Sequence, residues 1–328
     1  MRVTVGRSRL ASAAFAMLMS LALPKGATAA EFASKITKIV VPFAAGGGTD
    51  IIARTLAHEM ASELGGAVII ENKPGAGTIV GTDFVAKAEP DGHTLLMATF
   101  AHAVNPSLRA RLPYDTNKDF APVSLVACSY NIVVVNPNSG FGSLAALISA
   151  AKAKPDALNY GTFGPGTSAH LAGELFNSLA GVKITPVHYK GAAPAITDLL
   201  GGTIQTMFTT VASATPLIKD GKLKALAVTS GARTSAFPDL PTVAEAGVPG
   251  YAAESWYGLF APAKTPAPAT ALLNKAVDKS IHSPAFDKLV ENEGLTMVGG
   301  AAEQLADYVR GEEARWRKVV QQAGIKIE

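Results

Sequence analysis

The chain has 328 residues, of which 48% are hydrophobic and 17% charged, a composition typical of a globular protein and not of a disordered one. Residues 1–29 hold four of the 29 basic side chains and none of the 26 acidic ones, so the formal net charge of +3 becomes −1 without them. This balance argues against binding to nucleic acid or to an anionic membrane surface. The single cysteine excludes an internal disulfide.

The first 29 residues have the pattern of a secretory signal peptide. Three arginines precede a short apolar run, "LASAAFAMLMSLAL", and small residues follow in "PKGATAA". This order predicts export and cleavage after Ala29 or Ala30. An uncleaved membrane anchor is the alternative, although the apolar run is short for a bilayer span. No cysteine stands at the cleavage site, so we expect a soluble periplasmic protein without a lipid anchor.

Strand-like and helix-like segments then alternate along the chain. The apolar runs "KIVVPF", "AVIIENK" and "HTLLMAT" are separated by "DIIARTLAHEMASEL" and "TIVGTDFVAKA", which have the spacing of amphipathic helices. This βαβ order is typical of a largely parallel sheet. Gly65 is predicted to end the first helix. The buried stripe of that helix is predicted to comprise Ile52, Leu56, Met60 and Leu64.

A second αβ unit begins near residue 131 and ends near residue 252. It includes "ALNYGTFGPGTSAHLAGELFNSLAG", a strand, a loop and a helix whose predicted buried stripe is Leu171, Leu175 and Leu179. The C-terminal segment has one short strand candidate, "LTMVGG", and a helix with Leu305, Val309, Trp316 and Val320 near one face.

The fold class predicted from this order is α/β. We expect a first domain of residues 31–130 plus 252–328 and a second domain of residues 131–251 inserted into it. Two crossover segments and a cleft between the domains follow from that organisation.

Three glycines at residues 46–48 join the first predicted strand to the first predicted helix. A helix start exposes amide N–H groups at the positive end of the helix dipole, and glycine leaves them uncovered, so this loop is predicted to receive an anion. Neither a Walker loop nor a dinucleotide fingerprint matches. Asp50 either caps the helix or contacts the ligand, and the sequence leaves both open. The candidate ligand-binding residues of this loop are Phe43, as an aromatic wall, with Gly47, Gly48, Thr49 and Asp50.

Two further strand–loop–helix junctions have the same character. The candidates in the second unit are Gly164, Thr167 and Ser168, followed by Gly191 and Ala192 at the next junction. One such loop in each domain would form a clamp for a small molecule with one or two carboxylates. For either loop taken alone, a capped surface helix is the alternative. Weaker candidates for the cleft are Thr99, His102 and Asn105.

Several ordered motifs resemble those of the exported solute-binding proteins of the tripartite tricarboxylate transporter family, also called Bug receptors. The motifs include "PFAAGGGTDIIAR", "ENKPGAGTIVG", "FGPGTSAHLAGELF", "YKGAAPAITDLLGG" and "WYGLFAPAKTP". The resemblance implies a two-lobed periplasmic-binding-protein fold of type II-like architecture, with the ligand in the cleft between the lobes. It also implies that amides of the first loop hold a ligand carboxylate while the second loop closes over the other end. The partners implied are a small carboxylate and the membrane subunits of the transporter, or a sensor.

An exported α/β hydrolase or lyase acting on a carboxylate is the main alternative. Ser168 and His170 invite that reading, but the G-x-S-x-G elbow is absent and residues two apart on a helix do not face each other. His170 and Glu174 lie four apart without an apparent third metal ligand, so a solvated or capping pair is favoured. We therefore predict no catalytic residue, no metal, no cofactor and a monomer. A structural exported protein without a ligand is a second alternative.

Overall fold

The structure is a computed structural model that describes Met1, residues 34–322 and Ile325. Apart from Met1, the predicted signal peptide of residues 1–29 lies outside the described residues. No helix in the described part of the chain combines the length and the hydropathy that crossing a bilayer requires.

The described residues form one sheet of ten strands with helices between them. The strands are β1 Thr37–Val41, β2 Val68–Asn72, β3 Thr94–Thr99, β4 Phe120–Val135, β5 Asn159–Thr162, β6 Thr185–His188, β7 Thr206–Thr210, β8 Lys224–Val228, β9 Glu254–Pro262 and β10 Thr296–Gly299. The α-helices are α1 Gly48–Leu64, α2 Ile79–Ala86, α3 Phe100–Leu108, α4 Leu144–Ala153, α5 Ser168–Ala180, α6 Ala192–Leu200, α7 Val211–Lys219, α8 Ala267–Ile281, α9 Pro284–Glu293 and α10 Ala302–Gln322.

The long strand β4 connects two groups of strands. The order across the sheet is β2-β1-β3-β9-β4-β7-β5-β6, with β8 and β10 also paired to β4. Residues 120–130 of β4 pair with β9, and residues 131–135 pair with β7. We call β1, β2, β3, β9 and β10 the first strand group, and β5 to β8 the second. The predicted α/β class agrees with this sheet, whereas the exact domain boundaries stay a prediction.

The chain crosses between the two groups a second time between β8 and β9, and Thr229 ties the two crossings together. Its fully buried hydroxyl lies 2.8 Å from the amide nitrogen of Asn131 and 2.6 Å from the carbonyl oxygen of Ala253. The Thr229 side chain therefore hydrogen-bonds to β4 and to the segment that leads into β9. This contact lies where β4 changes its partner strand from β9 to β7.

The core lies on both faces of the sheet. Ile39 and Val41 belong to one cluster of buried side chains and Val40 to the other, because alternate residues of a strand point to opposite faces. The predicted stripe of α1 is confirmed, since Ile52, Leu56, Met60 and Leu64 are all buried. Gly65 ends this helix as predicted, with a left-handed φ of 67°.

The buried stripe predicted for α5 is wrong. Leu171 is buried, but Leu175 is only half-buried and Leu179 is 44% exposed. The residues of the first turns of α5 are buried on every side, so their apolar positions carry no information about the direction of the core. Phe176, fully buried against Phe208 and Tyr251, marks the true inner face.

The C-terminal helix α10 returns to the first strand group. The predicted inner face is confirmed, because Leu305, Val309, Trp316 and Val320 are buried. Trp316 packs edge-on against Phe100 of α3, with ring centroids 4.5 Å apart. The predicted short strand is β10, which pairs antiparallel with β4.

Candidate functional site: glycine loops between the strand groups

Four loops that follow parallel strands meet where the two strand groups face each other. We call them the first loop (residues 42–47, after β1), the second (163–167, after β5), the third (189–191, after β6) and the fourth (73–78, after β2). The first and third loops touch, because the Ala44 amide donates a 2.9 Å hydrogen bond to the Lys190 carbonyl. Ligands of α/β proteins commonly bind at such carboxyl ends of parallel strands.

An aromatic pair joins the first loop to the second. Phe43 and Phe163 pack edge-to-face with ring centroids 6.5 Å apart, and both are buried. Each strand group supplies one ring, so the predicted aromatic residue Phe43 lies at the contact between the groups. Whether it also contacts a ligand stays a prediction.

Two amides of the first loop, those of Ala44 and Gly46, and the first amide of α1 are engaged within the protein. The Gly46 amide donates to Asp50 Oδ2 at 2.9 Å, and the Gly48 amide donates to Ser213 Oγ at 2.8 Å. The first helical bond of α1 runs from the Ile51 amide to the Gly47 carbonyl. The amides of Thr49 and Asp50, which have no intrahelical acceptor, are the donors that this helix start can offer a ligand.

Asp50 is part of a buried polar cluster, and its side chain is only 4% exposed. Its carboxylate accepts hydrogen bonds of 2.9 Å from the Gly46 amide, Arg54 Nε and Asn72 Nδ2. Burial raises the pKa of Asp50, but these hydrogen bonds and the charge of Arg54 outweigh it, so the net shift of the pKa is downward. Gly47 occupies the N-cap position, so the alternative that Asp50 is the N-cap residue of α1 is wrong.

Hydrogen bonds to nearby side chains and carbonyls also stabilise the second loop. The Gly164 amide donates to Thr162 Oγ1 at 3.1 Å, and the Gly166 amide donates to His170 Nδ1 at 3.2 Å. Thr167 stands at the N-cap of α5, yet its hydroxyl donates to the Gly164 carbonyl at 2.7 Å and caps no helix amide. The first-turn amides of Ser168, Ala169 and His170 are therefore the donors that remain, because the first helical bond of α5 runs from the Leu171 amide to the Thr167 carbonyl.

The third loop packs directly on the first. Gly191 is the N-cap of α6, and a Cβ added there would lie 3.1 Å from the Ala44 amide nitrogen. A Cβ added at Gly47 would lie 3.5 Å from the Cβ of Ala192. A side chain at Gly191 would thus crowd the Ala44 backbone, whereas a Cβ at Gly47 would make only an ordinary van der Waals contact.

The fourth loop was not among the predicted site residues. A Cβ at Gly77 would clash with the Pro165 carbonyl of the second loop, so only glycine fits at this contact between the strand groups. Gly77 and Thr78 both have left-handed φ values, 62° and 81°, and Asn105 Nδ2 donates to the Gly77 carbonyl at 3.2 Å. The "PGAG" sequence is a strong turn signal and could have identified this loop.

His102 was a weak candidate for the cleft, but it lies in the core and does not face the cleft. Its ring is 2% exposed and lies between Phe120 and Phe260, with centroids 5.0 and 4.9 Å away. Burial lowers the pKa of His102 to about 3. Asn105, another weak candidate, is fully buried and supports the fourth loop.

The sequence favoured a solvated or capping pair at His170 and Glu174. The pair is not solvated, but His170 Nδ1 accepts a hydrogen bond from the Gly166 amide beside the start of α5, which agrees with a capping role for His170. His170 is 3% exposed, and Glu174 Oε1 accepts a 2.6 Å hydrogen bond from the buried Tyr160 hydroxyl. Burial raises the pKa of Glu174. Within the part of the chain that the structure describes, no three His, Cys, Asp or Glu side chains are grouped so as to hold a metal ion.

Two groups of strands joined by two crossings, with glycine loops where the groups meet, define a two-lobed solute-binding protein of the periplasmic type. The family model described as "Tripartite tricarboxylate transporter family receptor" matches residues 52–325. The chain belongs to this family of substrate-binding receptors, which confirms both the resemblance and the fold that it implied.

Three solved structures illustrate the relationship. The periplasmic binding protein BugD is 34% identical with a TM-score of 0.86, over 89% of this chain and 99% of that one. A Rhodopseudomonas palustris protein solved with adipate is 36% identical with a TM-score of 0.85, over 88% and 97%. MatC from R. palustris, with bound malate, is 35% identical with a TM-score of 0.83, over 87% and 99%.

Proposed function

We propose that this protein captures a small organic acid in the periplasm and delivers it to the membrane subunits of a tripartite tricarboxylate transporter. The ligand class is a mono- or dicarboxylate, with amino acids and aromatic acids included. The exported form is a soluble monomer that begins after residue 29 or 30.

The observation that carries this proposal is the pair of helix starts at α1 and α5. They come from different strand groups, and the Phe43–Phe163 contact joins the loops that precede them. The first-turn amides that lack an intrahelical or side-chain acceptor and lie at positive helix ends are those of Thr49, Asp50, Ser168, Ala169 and His170. Such a pair suits a ligand with an acidic group, and adipate and malate are bound in two related structures.

Neutral amides also suit a receptor that must release its ligand. A hinge at the two crossings would close the lobes on the acid, because the ligand makes its additional contacts only in the closed state. Opening would then return the acid unchanged to the transporter.

A thermal-shift screen of the protein lacking residues 1–29 tests the ligand class. Mono-, di- and tricarboxylates, amino acids and aromatic acids are compared with their methyl esters, which are controls without the carboxylate charge. We expect one acid to stabilise the protein by about 2.7 kcal/mol at 100 times its dissociation constant, and its ester to do nothing. No stabilisation by any acid would refute the proposal.

Recovery of the ligand distinguishes the proposed receptor from the hydrolase or lyase alternative. A receptor binds stoichiometrically and returns the acid chemically unaltered, whereas an enzyme yields product. His170 Nδ1 accepts its hydrogen bond from Gly166 and not from Ser168, which gives no support to a Ser168–His170 nucleophile pair.

Uptake of the labelled acid by cells with and without this receptor tests the transporter partner.

A further inference from the structure

The first and second loops are built on the same backbone plan. In each, a glycine with a left-handed φ precedes the N-cap residue: Gly46 has φ 82° and Gly166 has φ 80°. The N-cap residues that follow are also alike, with φ and ψ of −89° and 169° at Gly47 and −76° and 164° at Thr167. The two helix starts are thus structural counterparts in the two strand groups.

In both loops the third helical residue accepts a hydrogen bond from the amide of that glycine. Asp50 Oδ2 accepts from Gly46 at 2.9 Å, and His170 Nδ1 accepts from Gly166 at 3.2 Å. This resembles a capping box, in which a side chain at the same helical position reaches back to a backbone amide. The two acceptors differ in charge. Asp50 is an anionic carboxylate paired with Arg54, whereas the acceptor in the second loop is the imidazole of His170.

The geometry requires an uncharged imidazole at His170. An amide N–H donates only to a lone pair, so Nδ1 carries no proton and the ring proton resides on Nε2. Burial, and the neighbouring His188, lower the pKa of His170 to about 3. The imidazole is therefore neutral over the whole physiological range of pH.

The titratable groups around His170 come from three elements. The ring of His188 on β6 packs edge-on at 5.0 Å, and its Nδ1 lies 2.7 Å from the Thr162 hydroxyl. The Tyr160 hydroxyl of β5 lies 3.1 Å from the His170 carbonyl and donates to Glu174 of α5. Burial raises the pKa of both Tyr160 and Glu174, so each tends towards its uncharged form.

We propose that His170 is a positioning residue that holds the Gly166 amide as an uncharged acceptor, so that the start of α5 keeps its positive potential for a carboxylate of the ligand. This inference rests on the proposed function, because it assigns the ligand's charged group to the second loop. An aspartate at the same place would copy the first loop and add a negative charge beside the bound anion.

Three substitutions separate the hydrogen bond from the charge. His170→Asn keeps an acceptor where Nδ1 lies, His170→Leu has nearly the same shape without one, and His170→Asp keeps the acceptor and adds a charge. Malate and adipate are the probes, measured by calorimetry. The exchange rate of the Gly166 amide, measured by NMR without ligand, reports the loop itself. His282→Asp, at an exposed histidine after α8, is the control for net charge.

We expect Gly166 to be protected in His170→Asn and His170→Asp but not in His170→Leu. Affinity for the bound acid should be about 3- to 10-fold weaker in His170→Leu than in His170→Asn, the effect of one hydrogen bond. It should be at least about 10-fold weaker in His170→Asp than in His170→Asn at pH 7.5, and should recover as the pH falls and the aspartate is protonated.

Equal Gly166 exchange in His170→Leu and His170→Asn would overturn the positioning role. Equal affinity of His170→Asp and His170→Asn would overturn the role of charge, even if the wild-type protein binds the acid tightly. Wild-type protein that binds no carboxylate would refute the proposed function and, with it, the role of charge, while the exchange rates still decide the positioning role.

Discussion

The backbone amide of Gly48 donates a 2.8 Å hydrogen bond to the hydroxyl of Ser213. Gly48 is the first residue of α1, the helix that follows β1 of the first strand group. Ser213 lies in the first turn of α7, the helix that follows β7 of the second strand group. This bond therefore connects the two lobes. The Gly48 amide thus joins one lobe to the other in this conformation, and its contact with a ligand stays a prediction.

Gly48→Ala should impair closure of the lobes. The added Cβ would lie 2.5 Å from Thr210 Oγ1 and 3.0 Å from Ala212 Cβ, both in the opposite lobe. Overpacking of this kind costs about 1–3 kcal/mol, so ligand affinity should fall about 5-fold or more. Alanine favours a helix more than glycine does, so α1 itself should not be weakened. Calorimetry measures the affinity, and small-angle scattering the degree of closure.

Gly142→Ala is the matched control for that substitution, because a Cβ at Gly142 would meet nothing within 4 Å. It should bind the ligand as the wild-type protein does. If Gly48→Ala also keeps wild-type affinity, the contact between α1 and α7 does not govern closure.

Ser213→Ala should weaken the same contact from the other side. The variant leaves the buried Gly48 amide without its acceptor, a loss of about 1–3 kcal/mol, and removes the Thr210 hydroxyl's 2.8 Å partner. Denaturant unfolding and ligand affinity should both show the loss, whereas Ser235→Ala on an exposed loop should show neither. Because Gly48 and Ser213 touch, the losses in the double variant should not be additive, and strict additivity would contradict a shared role.

Asp50→Asn should destabilise the first loop. The carboxylate accepts three hydrogen bonds, and each charge-assisted bond is worth about 1.5–3 kcal/mol when it is lost. Since the folded pKa is below its usual value of 3.8, the stabilisation by Asp50 is present above that pH and is lost as the pH falls through the folded pKa. Denaturant unfolding at pH 7 should therefore reveal the full effect.

Asp220→Asn provides the comparison for Asp50→Asn. Asp220 pairs with Lys222 at 3.3 Å, and both side chains are about 60% exposed. Pairs of that kind contribute about 0–1 kcal/mol. Equal losses in the two variants would show that the buried cluster around Asp50 gives no special support to the loop.

Stability should decline as the pH falls from about 6.5 towards 3. The pKa values of His102 and His170 are lowered by burial to about 3, so the unfolded chain takes up protons that the folded state does not. Each imidazole then contributes a slope of about 1.4 kcal/mol per pH unit within that window. Urea unfolding between pH 7.5 and 4.5 should show a smaller slope for His102→Leu. The exposed His58 supplies the control His58→Leu, whose slope should match the wild type.

Local pattern predicted the elements that surround the site. The apolar spacing of α1 identified its inner face, and the glycine and Thr-Ser junctions identified three of the four loops that meet between the strand groups. The same reasoning failed for α5, where Leu179 is exposed, and for His102, which is buried between two aromatic rings. In both places the surroundings come from distant parts of the chain, so spacing along one helix does not reveal them.

By itself, the sequence determined the αβ order and the receptor family, and it predicted the helix starts at which an anion would be received. Only the tertiary structure decided which amides at those starts are left for a ligand. The acceptors of Gly48 and Ala44 are Ser213 and the Lys190 carbonyl, well over a hundred residues further along the chain. A hydrogen-bond partner is set by the approach of two backbones in space, and the periodicity of one segment carries no information about that approach.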